Sequence, residues 1–523
     1  MAFVATHGVF STGRLRAARC RFGGLSNIAS MEQPSQVDVL IIGAGISGIG
    51  AACRLTEDLP QKSYAILEAR DASGGTWDLF RYPGIRSDSD LHTLGYQFRP
   101  WMGENAIVDG PEVLGYIRDT AAEYGVDDKI RYGHQVNAAS WDSAEAIWTV
   151  EATVGGKPVT MTCGWLFSAS GYFRYDRGYQ PHFEGQERFT GQIIHPQDWP
   201  EDLDYSGKAV VVIGSGATAV TLVPAMAEQA AHVTMLQRSP SYVISVPRKD
   251  ALANLLNRLL PDDLASSITR RKNIWRQRIA FKLSKSQPQL VKRFLRWAVG
   301  KQLPDDYEVD RHFAPNYDPW DQRLCAVPSG DLFRSLSRGD CSVVTDQISS
   351  FTEDGIELVS GQRLEADIIV TATGLELLAL GGIELSVDGS QVDLPEALVY
   401  KGAMLSEVPN FAFAMGNYNV SLTLKVGLVI DYVWRLNGYM DRCGFAKCTA
   451  VNPDPSQETR PMLDFGAGYV NRSLHLFPRQ GSIEHWEMSQ DLARDQRELG
   501  SELTADGALQ FERSADRAAA TAA

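Results

Sequence analysis

Residues 37–48 read Val37-Asp-Val-Leu-Ile-Ile-Gly43-Ala-Gly45-Ile-Ser-Gly48, and the fold turns on them. The apolar, β-branched run at 37–42 predicts a short strand buried on both faces. It leads straight into Gly43-x-Gly45-x-x-Gly48 and then into Ile49-Gly-Ala-Ala-Cys53-Arg54-Leu55, which has helical character. Gly43 permits a tight turn, Gly45 lets a pyrophosphate approach the backbone, and Gly48 lets helix and strand pack closely. The phosphates would sit on the helix N-terminus, where free N–H groups and the dipole favour an anion. A second apolar run, Tyr64-Ala-Ile-Leu67, ends at Glu68, twenty residues beyond Gly48. An acid there accepts both ribose hydroxyls of FAD or NAD and disfavours a 2′-phosphate.

A second copy of the pattern lies downstream. The strand Ala209-Val-Val-Val-Ile213 precedes Gly214-Ser215-Gly216-Ala217-Thr218-Ala219. Its next strand, His232-Val-Thr-Met-Leu236, ends in Gln237-Arg238-Ser239 rather than in an acid. Arg238 offers a fork of donors for a phosphate and Ser239 a hydroxyl, the pattern of an NADP site. The expectation is FAD in the first fold and NADPH in the second, with electrons passing from NADPH to flavin. The fold class is α/β, with two Rossmann-like dinucleotide-binding domains and a helical insertion.

Composition agrees with such an enzyme. The chain has 523 residues, 44% hydrophobic and 22% charged, which excludes disordered and fibrous classes. A net charge of −14 argues against a general nucleic-acid binder. Seven scattered cysteines argue against a secreted disulfide framework and for a reduced compartment. Flavin disulfide reductases share the double layout but carry a redox cysteine pair beside the flavin. Here the nearest pair is Cys443 and Cys448, on a late segment that reads as a helix end and loop, and Trp77 follows Gly74-Gly75-Thr76 where a thiol motif would begin. No His cluster at ligand spacing suggests a metal.

Between the two folds stands Phe189-Thr-Gly191-Gln-Ile-Ile-His195-Pro-Gln-Asp-Trp199-Pro200. It matches the pattern FxGxxxHxxxW(P/D) in full, so the chain resembles the Baeyer–Villiger monooxygenases of the class B flavoprotein monooxygenase family. The N- and S-oxygenating relatives end the motif in Tyr or Phe instead of Trp199. The likeness continues through residues 74–101, through His312-Phe-Ala-Pro-Asn-Tyr-Asp-Pro-Trp-Asp-Gln-Arg323-Leu-Cys325, through Asp367–Gly374 and through late segments at 400–402, 421–425 and 479–482. It is close to the ethionamide-activating subgroup and spans about residues 37 to 490.

The resemblance implies that reduced FAD and O2 form a C4a-peroxyflavin that inserts one oxygen into a ketone, giving an ester or lactone, with side activity on sulfides. Arg323 matches the active-site arginine, whose fixed charge suits developing anions, and Asp88 of the RYPGIRSD segment matches the acid that orients it. Trp77, Asp88 and Tyr96 are implied to line the flavin, with Gly75 and Thr76 beside it, and Gly374 to end a strand at the cofactors. Leu422 stands where close relatives carry Trp. His195 is expected to anchor chain segments rather than to transfer protons.

Residues 251–302 carry twelve Lys and Arg against Asp262 and Asp263, a local balance of +10. Read as helices with breaks at Pro288 and Pro304, they are expected to pack through Ile274, Trp275, Ile279, Phe281 and Leu283, then Leu290, Phe294, Leu295 and Trp297. A basic amphipathic stretch also suits peripheral contact with anionic lipid. Residues 1–36 hold four arginines and no acid before Glu32; they read as a transit-like leader or as chain upstream of a start at Met31. The expected organisation is a leader to 36, an FAD-binding part at 37–180, an NADPH-binding part at 181–250, a helical insertion at 251–310, a second NADPH-binding part at 311–374, a second FAD-binding part at 375–500 and a tail at 501–523. Cytoplasmic residence is expected, with mitochondrion or plastid as the alternative if the leader is a transit peptide. The competing functions are an N- or S-oxygenating monooxygenase and an idle flavoprotein acting as redox sensor or binding module.

Overall fold

The structure, a computed structural model, describes residues 35–322, 324–463, 466–504 and 506–513. The 37–42 run lies in the strand Gln36–Ile42, near the middle of a nine-stranded sheet. Val39 and Ile41 enter one hydrophobic core and Leu40 and Ile42 another. A strand buried on both faces has no polar side to show, which is why its sequence is a continuous apolar run. Tyr64–Leu67 pairs with it in parallel on one side and the end of Lys157–Ser168 on the other, aligning Ile41 with Ile66 and with Phe167. Two parallel neighbours reached in opposite directions make a switch point, and ligands of such sheets bind beyond the strands' carboxyl ends. Lys157–Ser168 also continues antiparallel onto Ile147–Val154 and Gln135–Asp142.

The second motif strand, Ala209–Ile213, is central in a five-stranded parallel sheet ordered Cys341–Thr345, His232–Gln237, Ala209–Ile213, Ile368–Thr371 and Gln192–Ile194. Val210 and Val212 face one core while Val211 and Ile213 face another. The edge strand Gln192–Ile194 belongs to the FxGxxxHxxxW segment.

Residues 251–300 form three helices, Ala251–Leu259, Asp262–Ser286 and Pro288–Gly300. Pro288 begins the third, where its missing N–H costs nothing. Their packing differs from the expectation. Trp275, Ile279, Leu283, Leu290, Phe294 and Trp297 are exposed, and only Leu295 of the expected apolar partners is buried. The inner face of the long helix is small and polar instead: Ala265, Thr269, Asn273 and Ser284 are buried. Asn273 and Gln277 donate to the two carboxylate oxygens of Asp90, and Arg270 donates to the carbonyls of His92 and Gly95. Hydrogen bonds to the buried Asp90 and to two carbonyls therefore dock this helix on that side, where oil was expected. Cys448 also departs from the loop reading: it lies buried in the strand Phe445–Ala450.

Candidate functional site

Gly43 takes φ +98°, and a Cβ there would stand 2.6 Å from the Ala169 carbonyl oxygen. A Cβ on Gly48 would run into the Gly43 carbonyl oxygen. The turn therefore closes only with glycine at both places, and the helix Ile46–Asp58 starts directly on it. Gly45 faces Gly75, where a Cβ would lie 3.0 Å from the Gly45 Cα, so two stretches of bare backbone meet at the helix N-terminus. Glu68 is 6% exposed at the end of its strand. Its carboxylate accepts from the backbone N–H of Ala44, at 2.7 Å, and of Arg70. Glu68 thus stands against the glycine turn, where a ribose would lie.

Around this cradle opens a cavity of about 1020 Å³, at the top of the range of about 300–1,000 Å³ usual for small-molecule sites. It begins at Gly43, Gly45 and Glu68 and reaches Gly216, Ala217 and Thr218 at the N-terminus of the second motif helix, Ala217–Met226. One continuous space therefore joins the two glycine motifs. Gly75, Thr76, Trp77, Asp88 and Gly374 also line it. Gly214 takes φ +138° with the Ala372 carbonyl against it. Gly214, Ser215, Arg238 and Ser239 stand outside the cavity wall. Ser215 hydrogen-bonds Ser241, and Arg238 and Ser239 are exposed beyond the strand end, with no ion pair to Arg238 among the described residues. A free guanidinium at that point suits an exposed phosphate.

One expected residue stands elsewhere. Tyr96 does not reach the cavity wall: its ring lies behind the first motif helix, beside Gly50, and its hydroxyl donates to the Ile46 carbonyl at 2.6 Å. Gly50 has no side chain, and the Tyr96 ring fills that space. Arg323 lies outside the described residues. Leu422 lines the cavity and packs onto Gly416, where a Cβ would have no room.

None of Phe189, Gly191, His195, Trp199 and Pro200 lines the cavity. Phe189 is buried edge-on to Phe351, Trp199 packs at the margin of the second fold's core, and a Cβ on Gly191 would collide with the Asp367 carbonyl. His195 is 6% exposed. Its Nδ1 accepts from the Gln197 N–H and its Nε2 donates to the Gly374 carbonyl, both at 3.2 Å. Burial pushes its pKa below the ordinary value, so the ring is neutral. With both nitrogens on main chain, His195 ties the fingerprint segment to Gly374, whose other side faces the cavity.

Other groups on the wall were not evident from the motifs. Arg86 has a side chain only 8% exposed, paired with Asp331 at 2.6 Å, and its second terminal nitrogen has no partner. It lies two residues before Asp88 in an extended segment, which carries both to the cavity. Burial pushes the Tyr82 hydroxyl up to about 12, and that hydroxyl meets the Thr218 side chain. Gly84, at φ +74°, packs against Thr221 and Ala225, so the RYPG turn lies directly on the second motif helix. Asp78, 3% exposed, pairs with Arg70, Arg81 and Arg118 at 2.7–3.0 Å and fixes Arg70 beside the first motif. Trp77, Met415, Leu422 and Leu463 make much of the wall apolar. Among the described residues no cysteine pair lines it.

Comparison with known proteins follows the same outline. The family model for flavin-binding monooxygenase-like proteins matches residues 104–377, and that for an NAD(P)-binding Rossmann-like domain matches 41–102. The FAD-containing monooxygenase EthA of Mycobacterium tuberculosis is 52% identical over 476 residues, covering 91% of this chain and 97% of that protein. Among solved structures, an oxidized steroid monooxygenase bound to NADP superposes with a TM-score of 0.70 at 22% identity, covering 91% of this chain and 100% of the other. A cyclohexanone monooxygenase from Rhodococcus sp. Phi1 bound to NADP+ gives 0.70 at 19% identity, with 92% and 100% covered. At those identities the two structures speak for the fold.

Proposed function

Because the chain belongs to the flavin-binding monooxygenase-like family, we propose that this flavin-dependent monooxygenase is of the Baeyer–Villiger type: it binds FAD and NADPH and converts a ketone, O2, NADPH and a proton into an ester or lactone, NADP+ and water. The observation that carries the reading is the single cavity running from the Gly43–Gly48 turn to the N-terminus of the second motif helix. Gly43, Gly45 and Glu68 at one end and Gly216, Ala217 and Thr218 at the other would hold two dinucleotides on one shared space, and hydride exchange between them would need no thiol relay.

The donor set fits FAD in the first fold. The Gly45–Gly75 approach leaves bare backbone for a pyrophosphate, and Glu68 stands ready for ribose hydroxyls. When bound, the flavin supplies hydride acceptance and activation of O2. The chain's own residues supply the surroundings. Apolar Trp77, Met415 and Leu422 exclude water, which strengthens every charge interaction within. Insertion into a ketone develops negative charge on the carbonyl oxygen, and a fixed cation stabilises it. Asp88, which lines the cavity, is assigned the orienting acid, and Arg323 is the matching arginine of the sequence pattern. Arg86, paired with Asp331, adds a buried guanidinium to the wall.

Incubating the purified chain with NADPH, O2 and a panel of ketones and thioethers tests the reading. Esters two electrons more oxidised than the ketones, lost in Arg323→Ala, support it. Sulfoxides alone would assign the chain to the sulfur-oxygenating relatives, and NADPH consumption without either product would overturn both.

A further inference from the structure

Each of the three helices at 251–300 hides one face and shows an apolar one. Leu252, Leu255 and Leu259 are 47–69% exposed on the first. On the second, Leu264, Ile268, Trp275 and Ile279 are 38–67% exposed and fall within about 60° of one another at about 100° per residue. On the third, Leu290, Phe294 and Trp297 are 54–59% exposed at spacings of four and three. Of the thirteen exposed large hydrophobic side chains among the described residues, all but Tyr132 and Val359 lie in this segment.

Charge narrows what covers them. Arg271, Lys282 and Arg293 lie on or beside the apolar stripes, are exposed, and make no ion pair among the described residues. Residues 251–302 carry +10 within a chain of −14. Two such segments facing each other would bring like charges together, and the described body of a second copy offers no apolar patch to match. The arginine-bearing residues 1–36 have the same sign. An anionic lipid surface satisfies both features: cations meet headgroups, and Trp275 and Trp297 enter the headgroup–acyl boundary. No helix among the described residues is long and apolar enough to cross a membrane, so the contact lies on the surface.

We propose that the helices at 251–300 dock this enzyme peripherally on anionic phospholipid. The acidic remainder of the chain is repelled by the same surface, which fixes the orientation. The long helix is bonded through Arg270, Asn273 and Gln277 to residues 90–95, just beyond Asp88 on the cavity wall. The docking is independent of which substrate is oxygenated.

The test is co-sedimentation of the full-length protein with vesicles of phosphatidylcholine alone or mixed with phosphatidylglycerol. Binding to the mixed vesicles only, weakened by salt, is expected. Each of Arg271→Gln, Lys282→Gln and Arg293→Gln should lower partitioning about fivefold, and the triple variant about a hundredfold. Trp275→Gln with Trp297→Gln should reduce it too. All these side chains are exposed, so melting temperatures should match the parent and separate lost binding from lost folding. Equal binding to neutral vesicles, no pelleting with either, or self-association in sedimentation velocity that Trp297→Gln abolishes would overturn the proposal, the last assigning the face to a second copy.

Discussion

The Nζ of Lys425 lies 2.6 Å from Oδ1 of Asp495, and neither side chain is more than 2% exposed. The other oxygen of Asp495 accepts from Asn417, which lines the cavity. A buried ion pair between the helices Leu422–Cys443 and Leu492–Gly500 thus sets a residue of the site. Burial pushes the Asp495 carboxyl up, while Lys425 and Asn417 pull it back. Lys425→Met removes the cation and leaves a buried acid, at a cost of about 3–5 kcal/mol. A carboxyl raised above its unfolded value favours folding when protonated, and that contribution is lost as pH rises through the folded value. The deficit of Lys425→Met should therefore grow with pH. Thermal melts across pH decide; a deficit constant from acid to neutral pH would contradict this account.

Acid should destabilise the protein through its buried histidines. Burial lowers the pKa of His92, His195 and His312 below the ordinary 6.5. Between the folded and unfolded values the unfolded chain holds more protons, so stability rises with pH and falls as pH drops through 6.5. His195→Gln keeps polar partners for the main chain without titrating. Denaturant midpoints should decline less steeply on acidification in that variant than in the parent, and identical slopes would exclude His195 from the effect.

Gly48→Ala places a Cβ against the Gly43 carbonyl, a main-chain atom that cannot rotate away. The expected result is a variant destabilised by several kcal/mol, about 3 or more, and purified without flavin. Gly115→Ala, where a Cβ meets nothing within 4 Å, is the control and should retain the parent's melting temperature.

Arg238→Ala tests the second nucleotide site. Loss of a charge-assisted bond of about 1.5–3 kcal/mol should lower kcat/KM for NADPH about 10- to 100-fold. The value for NADH should change little, because its ribose carries no phosphate. Equal losses for both nucleotides would place the 2′-phosphate elsewhere.

Arg86→Met should raise the KM for NADPH about tenfold, the lower end of the same bond strength, with flavin content unchanged. Arg86 stands beside Tyr82, whose hydroxyl meets Thr218 at the second helix N-terminus. A KM equal to the parent's would remove Arg86 from the nucleotide's path.

Much of the fold was legible because its signals are local. Gly43 and Gly48 are required by contacts within a few residues or with the adjoining strand, and a doubly buried strand advertises itself by a continuous apolar run. The site was legible in part. Glu68 and Thr218 follow from motif spacing, whereas Arg86 meets Asp331 across 245 residues, a pairing no local pattern encodes. Tyr96 was misplaced because an aromatic near a cofactor motif reads the same whether it faces the ligand or supports the helix behind it. The helices at 251–300 were misread for a related reason. Periodicity finds an apolar face but not the direction it points, and the inner face here is made of Asn273, Gln277 and Thr269.

The most direct test of the central claim is aerobic turnover of a simple ketone with NADPH and isotopically labelled O2, followed by mass analysis of the product. The account predicts an ester carrying one labelled oxygen for each NADPH consumed. Unlabelled product, or NADPH oxidation that ends only in hydrogen peroxide, would contradict it.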